Sequence, residues 1–270
     1  MKREAPREPL LHIDGVTVRF GGIVALDGVS FSVQRRQICG VIGPNGAGKS
    51  TLFNCLSGLY PWQAGAIKFD GHSLVRMPSH RRAALGIGRT FQNLALFGSM
   101  SVRENVLVGT YAHHHAGFLL DAIGGKRTRR TEKEAAERAD AAIELLSLQA
   151  VVERPVAALP FGTQKRVEMA RALACEPSLL LLDEPACGLN HEELESLGEL
   201  IVSLRDKLSL AVLLVEHHMG LVMGISDKVV ALNFGRHIAE GTPEQVRRHP
   251  DVISAYLGEQ VHGATDGQVA

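Results

Sequence analysis

The amino-acid sequence predicts an α/β fold in which a parallel sheet is joined by crossover helices. Three observations support this: short apolar runs typical of strands lie between Leu10 and Phe69, a helical pattern extends from about Ser101 to Gln149, and strand patterns return from Leu179 with helical stretches between them. Of the 270 residues, 45% are hydrophobic and 21% are charged, which excludes a wholly disordered or fibrous chain. We therefore expect a packed core.

The strands are predicted from the spacing of apolar residues. Val16, Val18 and Phe20 alternate with polar residues, and further apolar runs follow at 31–33, 38–42 and 67–69, separated by glycine-rich turns. In the C-terminal half the strand patterns lie at 179–183, 211–216 and 228–233. Strands that alternate with helices are typical of a parallel sheet with crossover connections.

Two features predict helices. Between about Ser101 and Gln149, alanines and aliphatic residues recur at helical spacing on a charged background, which predicts a helical subdomain inserted in the sheet domain. Near the C-terminus, Thr242 is followed by Pro243 and, three residues on, by Gln245. This arrangement resembles a capping box with proline at the first helical position, so it predicts the start of a final helix.

A phosphate-binding loop is predicted between strand 38–42 and the helical pattern 51–59. The segment matches GxxxxGK[ST] and consists of Gly43, Pro44, Asn45, Gly46, Ala47, Gly48, Lys49, Ser50 and Thr51. The glycines let backbone N–H groups surround a β-phosphate, the lysine neutralises phosphate charge, and the Ser50 hydroxyl binds Mg²⁺. The sequence therefore predicts a nucleoside triphosphate site.

An acidic pair supplies the second half of the predicted chemistry. The apolar strand 179–182 leads directly into Asp183 and Glu184. We expect Asp183 to bind the metal ion through water and Glu184 to orient or deprotonate the attacking water.

Charge and cysteine content disfavour other classes of site. Lys plus Arg and Asp plus Glu both number 29, so no net charge attracts nucleic acid, and we expect no nucleic-acid partner. The four cysteines, Cys39, Cys55, Cys175 and Cys187, form no CxxC pair, so we expect reduced thiols and not a zinc or disulfide framework. The apolar runs are also far shorter than the roughly 20 residues of a membrane-spanning helix.

Between the two motifs, residues 159–166 read Leu-Pro-Phe-Gly-Thr-Gln-Lys-Arg. This glycine turn before the acidic strand resembles the signature segment of ABC transporter ATPases, and the resemblance extends over about residues 10–259. It implies a RecA-like P-loop core over residues 10–258 with an antiparallel β layer and a helical subdomain at about 92–176, and flexible termini at 1–9 and 259–270. It also implies that Gly162, Thr163 and Gln164 contact nucleotide.

Three further residues match positions of that family. The resemblance implies that Phe20 stacks on adenine, that Gln92 links the metal site to the helical subdomain, and that His217 contacts the γ-phosphate. Each also has a simpler interpretation, as a core strand residue, a loop amide and a histidine at a strand end. Their order along the chain, together with the two strong motifs, favours the functional interpretation.

Segments 86–93, 186–190, 241–244 and 255–259 resemble the ATP-binding subunits of branched-chain amino acid importers, and residues 110–137 resemble the larger of that importer's two ATPase subunits. The resemblance implies ATP and Mg²⁺ as cofactors. It also implies a second ABC ATPase in a homo- or heterodimer, separate transmembrane permease subunits, a periplasmic solute-binding protein as an indirect partner, and a peripheral location at the cytoplasmic face of the inner membrane.

Three alternatives remain: the ATPase of a urea or amide importer, a soluble ABC ATPase acting on ribosomes or DNA, and a metabolic P-loop kinase. The single phosphate loop and the absence of a coiled-coil arm disfavour the second, and a kinase would leave Gly162 and Gln164 without a role.

The sequence departs from the family's common signature, Leu-Ser-Gly-Gly-Gln, at Pro160, Phe161 and Thr163, and His218 stands where many relatives carry an acid. Pro160 offers no hydrogen bond, so the signature is expected to form a weakened ATP site. Apolar residues just after Gln92, centred on Phe97, are expected to contact a permease. Neither the histidines at 113–115 nor the basic run at 126–130 is predicted to bind a metal ion or lipid.

Overall fold

The structure is a computed structural model that describes residues 8–111 and 126–263. The described chain forms two compact units, one made of residues 8–78 and 194–263 and the other of residues 79–111 and 126–193. In chain order the strands are β1 (Leu11–Phe20), β2 (Ile23–Val33), β3 (Ile38–Ile42), β4 (Ala64–Phe69), β5 (His72–Ser73), β6 (Ile87–Arg89), β7 (Leu179–Asp183), β8 (Ala211–Val215), β9 (Lys228–Asn233) and β10 (Arg236–Gly241).

In the same order the helices are α1 (Lys49–Ser57), α2 (Ser79–Ala84), α3 (Val102–Thr110), α4 (Lys126–Leu145), α5 (Phe161–Leu173), α6 (His191–Leu208), α7 (Met219–Ile225), α8 (Pro243–Arg247) and α9 (Pro250–Gly263). Short 3₁₀ turns lie at Gln149–Val151 and Val156–Ala158. None of the helices in the described ranges is long and apolar enough to span a membrane.

The first unit contains an antiparallel sheet with strand order β2-β1-β4-β5. Along β1 the side chains alternate at the start of the strand, where Leu11 and Ile13 are buried and His12 and Asp14 are exposed. Alternation of this kind buries one face of a sheet against a core. The strands predicted from the N-terminal apolar residues are therefore present.

The same unit contains the strand order β10-β9-β3-β8. Here β3 pairs in parallel with both β8 and β9, and β9 forms an antiparallel hairpin with β10. Every residue of β3 and β8 is buried, which explains why both strands are continuous apolar runs and do not alternate. The predicted parallel pairing is confirmed for these strands.

The capping box at Thr242 is confirmed. Its hydroxyl accepts the N–H of Gln245, and the Gln245 side chain accepts the N–H of Thr242. The prediction that this is the final helix is wrong, because α8 ends at Arg247 and a separate helix, α9, begins at Pro250. Proline has no N–H group and clashes with the preceding turn, so α8 cannot continue through it.

In the second unit, β6 and β7 form a parallel pair, and α3 packs against both α4 and α5. Most of the apolar positions predicted for α4 are buried, among them Ala135, Ala139 and Ile143, whereas Ala136 is half-buried. The boundaries of the inserted subdomain, at about 92–176, remain a prediction. The histidines at 113–115 and the rest of residues 112–125, which belong to the 110–137 segment, lie outside the described residues, as do residues 1–7 and 264–270.

Buried Asn105 on α3 organises the loop that precedes this helix. Its side-chain amide donates to the carbonyl oxygens of Phe97, Met100 and Ser101, and its side-chain oxygen accepts the N–H of Phe97 at 2.9 Å. One side chain therefore ties together three backbone carbonyl groups and one N–H group of this loop.

Candidate nucleotide-binding site

The predicted phosphate-binding loop lies between β3 and α1 in the first unit. Its glycines adopt conformations that other residues rarely reach, with φ of 152° at Gly43, 76° at Gly46 and 100° at Gly48. A Cβ atom at Gly43 would lie 2.2 Å from the carbonyl oxygen of Leu232, and one at Gly48 would lie 2.6 Å from that of Ala25. Gly43 and Gly48 are therefore required by both conformation and space.

The Lys49 ammonium lies inside the curve of this loop. Its Nζ donates to the carbonyl oxygens of Gly43 at 2.6 Å and Pro44 at 2.9 Å, and the residue is buried. Helix α1 begins here without an acidic residue in its first turn and without a side-chain cap. A buried cation beside the N-terminus of a helix is an arrangement that binds phosphate.

Two aromatic side chains lie close together in the first unit. The ring of Phe20, at the end of β1, is 5.2 Å from the ring of Tyr60, with an angle of 74° between their planes. Phe20 remains 45% exposed, so enough of its ring is open to stack on a nucleotide base. Tyr60 was not singled out by sequence analysis because a lone tyrosine after a helix carries no motif.

His217 follows β8 and is exposed. The buried carboxylate of Glu216 accepts the backbone N–H groups of His217 at 3.0 Å and His218 at 3.4 Å. His218 is the N-cap residue of α7 but makes no side-chain cap hydrogen bond. Glu216 therefore fixes the backbone that presents His217, a role that the sequence did not reveal.

In the second unit, Asp183 ends β7 and is almost completely buried. Arg89 Nη2 donates to Asp183 Oδ2 at 2.9 Å. Burial raises the pKa of Asp183, and the Arg89 guanidinium opposes that shift. The other carboxylate oxygen, Oδ1, is buried and accepts no hydrogen bond from the described residues. A buried oxygen of this kind suits a water molecule held by a divalent cation.

Glu184 comes next and has a left-handed backbone with φ of 48°. Its Oε2 accepts a hydrogen bond from Gln92 Nε2 at 2.8 Å. Two residues predicted from separate motifs are therefore in direct contact. A left-handed conformation in a residue with a side chain is strained and is common at functional sites.

Helix α5 holds the segment around Gln92 through two charged residues that sequence analysis missed. Buried Glu168 accepts the N–H of Phe91 at 3.0 Å, and Arg171 donates to the carbonyl oxygen of Ala95. Burial is the main cause that raises the pKa of Glu168. The signature helix and the glutamine segment are therefore joined by hydrogen bonds within one unit.

The signature turn forms the start of α5. Pro160 is the N-cap residue and makes no side-chain cap hydrogen bond. The Gln164 side chain donates to the carbonyl oxygen of Leu159 at 2.9 Å, so this amide is engaged within its own turn. Gly162 and Thr163, the other residues predicted to contact nucleotide, lie in the first turn and are half-buried.

Phe161 is exposed at this turn, and Lys165 Nζ lies 5.5 Å from its ring centroid. A Cβ atom at Gly188 would lie 2.9 Å from Phe161 Cε1. The segment after the acidic pair therefore packs closely under the signature aromatic, and a larger residue at Gly188 would push the ring away.

The four cysteines differ from one another in burial. All four are free; Cys39, Cys55 and Cys175 are buried and Cys187 is exposed. Burial raises the pKa of the Cys39 thiol to about 12 and that of Cys175 to about 11. No cluster of three or more His, Cys, Asp or Glu side chains that could hold a metal ion occurs in the part of the chain that the structure describes.

Comparison with protein families gives two matches. The profile described as ABC transporter matches residues 26–187, and the profile described as branched-chain amino acid ATP-binding cassette transporter matches residues 236–262. The first covers the phosphate loop, the glutamine segment, the signature turn and the acidic pair. The second covers β10, α8 and most of α9.

Among characterised relatives, the high-affinity branched-chain amino acid transport ATP-binding protein BraF of Pseudomonas aeruginosa is 46% identical over 251 residues, which are 93% of this chain and 98% of BraF. LivG of Escherichia coli, which carries the same description, is 43% identical over 252 residues, or 93% of this chain and 99% of LivG.

Solved structures agree with these relatives. The ADP conformation of MJ1267, an ATP-binding cassette of an ABC transporter, superposes with a TM-score of 0.81 at 30% identity, covering 93% of this chain and 99% of MJ1267. A nucleotide-free ATP-binding cassette from an ABC transporter gives a TM-score of 0.80 at 29% identity, covering 92% of this chain and 99% of that one. The predicted fold class is confirmed.

Proposed function

The chain belongs to the ATP-binding proteins of ABC transporters and is an ATPase, and we propose that it powers the uptake of branched-chain amino acids by a membrane importer. The observation that carries this proposal is its 46% identity to BraF across 93% of the chain. The second family profile, at residues 236–262, supports the same transporter class.

We assign ATP to the loop formed by residues 43–51. In this assignment the backbone N–H groups of the loop and the Lys49 ammonium bind the phosphates, and Phe20 stacks on the adenine. Mg²⁺ would be held by the Ser50 hydroxyl, by Asp183 through water and by Gln92. Bound Mg²⁺ would neutralise charge on the phosphate oxygens.

Three side chains complete the proposed reaction. Glu184 accepts a proton from the attacking water, His217 donates to the γ-phosphate, and the Gln92 amide keeps the Glu184 carboxylate in place. The 2.8 Å hydrogen bond between Gln92 and Glu184 supports this division of roles.

The partners follow from the proposed transport function. The signature residues Gly162, Thr163 and Gln164 of one ATPase would face the ATP bound to a second, which is either another copy or a sister subunit. The pair would drive separate permease subunits from the cytoplasmic face of the inner membrane, and a periplasmic binding protein would deliver the solute to them.

Transport by the reconstituted assembly tests this proposal. Proteoliposomes that contain the chain, its sister ATPase and the permease subunits are loaded with ATP and given the binding protein with radiolabelled leucine or urea. We expect ATP-dependent leucine uptake that Lys49→Ala abolishes and Lys68→Ala, an exposed lysine on β4, does not. Uptake of urea without leucine would assign the chain to an amide importer instead.

A further inference from the structure

We propose that Arg89 is a positioning residue that holds Asp183 by its Oδ2 oxygen and leaves Oδ1 for the hydrated metal ion. This inference rests on the proposed role of Asp183 in metal binding. The contact lies within the second unit and involves a residue of segment 86–93 to which the sequence analysis assigned no role.

The strand pair sets the distance between the two side chains. Arg89 is the last residue of β6 and is in register with Leu181 of β7, which Asp183 ends. The pairing continues beyond β6, because Thr90 N–H donates to the Leu181 carbonyl oxygen at 3.0 Å and the Asp183 N–H donates to Thr90 Oγ1 at 3.3 Å. Both side chains therefore extend from backbone that the strand pairing and these two hydrogen bonds hold in place.

The pair is shielded from solvent. The Arg89 and Asp183 side chains are only 9% and 5% exposed, and their polar atoms are 2.9 Å apart. Burying a carboxylate without a partner is costly, and the hydrogen bond from the guanidinium offsets part of that cost. The guanidinium carbon also lies 4.9 Å from the centroid of the Phe91 ring, and this contact holds the arginine in place from a second side.

The contact engages one oxygen of Asp183. Oδ2 accepts from Arg89, whereas Oδ1 is buried and accepts no hydrogen bond from the described residues. A carboxylate fixed through one oxygen keeps a single orientation of the other. Residues that orient a metal-binding carboxylate in this way commonly contribute tenfold to a hundredfold in metal affinity.

A magnesium titration tests this role separately from hydrolysis. Binding of a fluorescent ATP analogue is measured in EDTA and at increasing Mg²⁺ for the wild type, Arg89→Gln, Arg89→Lys and Asp183→Asn. The control is Arg103→Gln, which removes an exposed ion pair with Asp140 in the same unit. In EDTA we expect Arg103→Gln and the two Arg89 variants to bind the analogue as the wild type does.

With Mg²⁺ present, Arg89→Gln should need on the order of tenfold more metal for the same gain in affinity, with a smaller change in Arg89→Lys. An unchanged or lower magnesium requirement in Arg89→Gln would overturn the inference. A lower requirement would indicate that Arg89 competes with the metal ion for Asp183. If circular dichroism shows that Arg89→Gln does not fold, the magnesium requirement of Arg89→Lys is compared with that of the wild type instead, and an unchanged or lower requirement overturns the inference. If Asp183→Asn leaves the magnesium dependence intact, the proposed role of Asp183 is itself wrong.

Discussion

Gln92 and Glu184 are joined by a hydrogen bond of 2.8 Å in which the amide Nε2 donates to the carboxylate Oε2. The two residues are 92 positions apart in the sequence, and each follows a strand of the parallel pair β6 and β7. Glu184 is held there in a left-handed conformation. The amide therefore fixes the direction of the carboxylate that we assign as the base.

Replacing this carboxylate tests its role. Glu184→Gln keeps the size of the side chain and leaves an oxygen that accepts from Gln92, but it removes the base. We expect nucleotide binding to persist and kcat to fall about 10²-fold or more, measured by steady-state phosphate release. The control is Glu176→Gln, since Glu176 has a similar φ of 47° but pairs with Arg138 at the surface. Near-normal turnover in Glu184→Gln would exclude the assigned role.

The phosphate loop gives a prediction about stability. In Gly48→Ala, the new methyl group meets the Ala25 carbonyl oxygen at 2.6 Å and the residue must keep a φ of 100°. In Gly71→Ala the residue must also keep a positive φ, of 75°, but the new methyl group meets no atom within 4 Å. Strain alone is worth about 1–3 kcal/mol, so we expect Gly48→Ala to lower the free energy of unfolding by more than Gly71→Ala. Equal losses in urea denaturation would mean that the contact with Ala25 is unimportant.

Local patterns account for what the sequence could predict. The phosphate loop, the strand before the acidic pair and the capping box at Thr242 each occupy a short stretch whose geometry depends on neighbouring residues, so they are readable without the fold. The family assignment drawn from these motifs is confirmed by the relatives and the solved structures.

Contacts between distant segments could not be predicted. Glu168 accepts the N–H of Phe91, a residue 77 positions away, and Arg89 pairs with Asp183, 94 positions away. On a helix, a glutamate is ordinarily read as an exposed charge, and nothing in its local pattern distinguishes a buried one. Glu216 differs, because its carboxylate bonds to the backbone of the next two residues, yet a glutamate directly after a strand matches no motif.

Glu168 gives a prediction about pH. Its pKa in the folded protein is raised above the ordinary 4.5, chiefly by burial. As pH rises above 4.5, the unfolded chain loses this proton first, so the folded state binds more protons and stability falls until the raised pKa is passed. The free energy of unfolding of the wild type minus that of Glu168→Gln should therefore decrease over this window and then level off. An increase with pH would show that the hydrogen bond from Phe91 outweighs burial.

The apolar loop after Gln92 is proposed to dock on a permease. Phe97 is 51% exposed, although Asn105 holds its backbone at both N–H and carbonyl. Phe97→Asp should leave basal ATPase and folding unchanged but abolish ATP-driven uptake in proteoliposomes, because a charge replaces an exposed apolar contact. Leu208→Asp, at the exposed end of α6, serves as the control. Loss of folding in Phe97→Asp would instead mean that this side chain packs within its own unit.

The altered signature has few donors to offer a partner's γ-phosphate. Pro160 offers no hydrogen bond, and the Gln164 amide donates to Leu159. The Thr163 hydroxyl and the first N–H groups of α5 remain as candidates. Losing one donor to a transition-state oxyanion raises the barrier by about 3 kcal/mol, so we expect slow hydrolysis by the isolated chain, in which every site uses this signature, and a marked rise in the full assembly.

Two variants separate a weakened signature from an unnecessary one. Pro160→Ser restores a hydroxyl and should raise the rate of the isolated chain. Gly162→Asp should lower the assembly's rate about 10²-fold, because it places a carboxylate beside the bound phosphate and because a Cβ atom at Gly162 already lies 3.1 Å from Glu193 Oε1. Gly224→Asp, where α7 leaves open space, should have no effect. If the isolated chain matches the assembly per site, or Gly162→Asp leaves the assembly's rate intact, this turn does not limit hydrolysis.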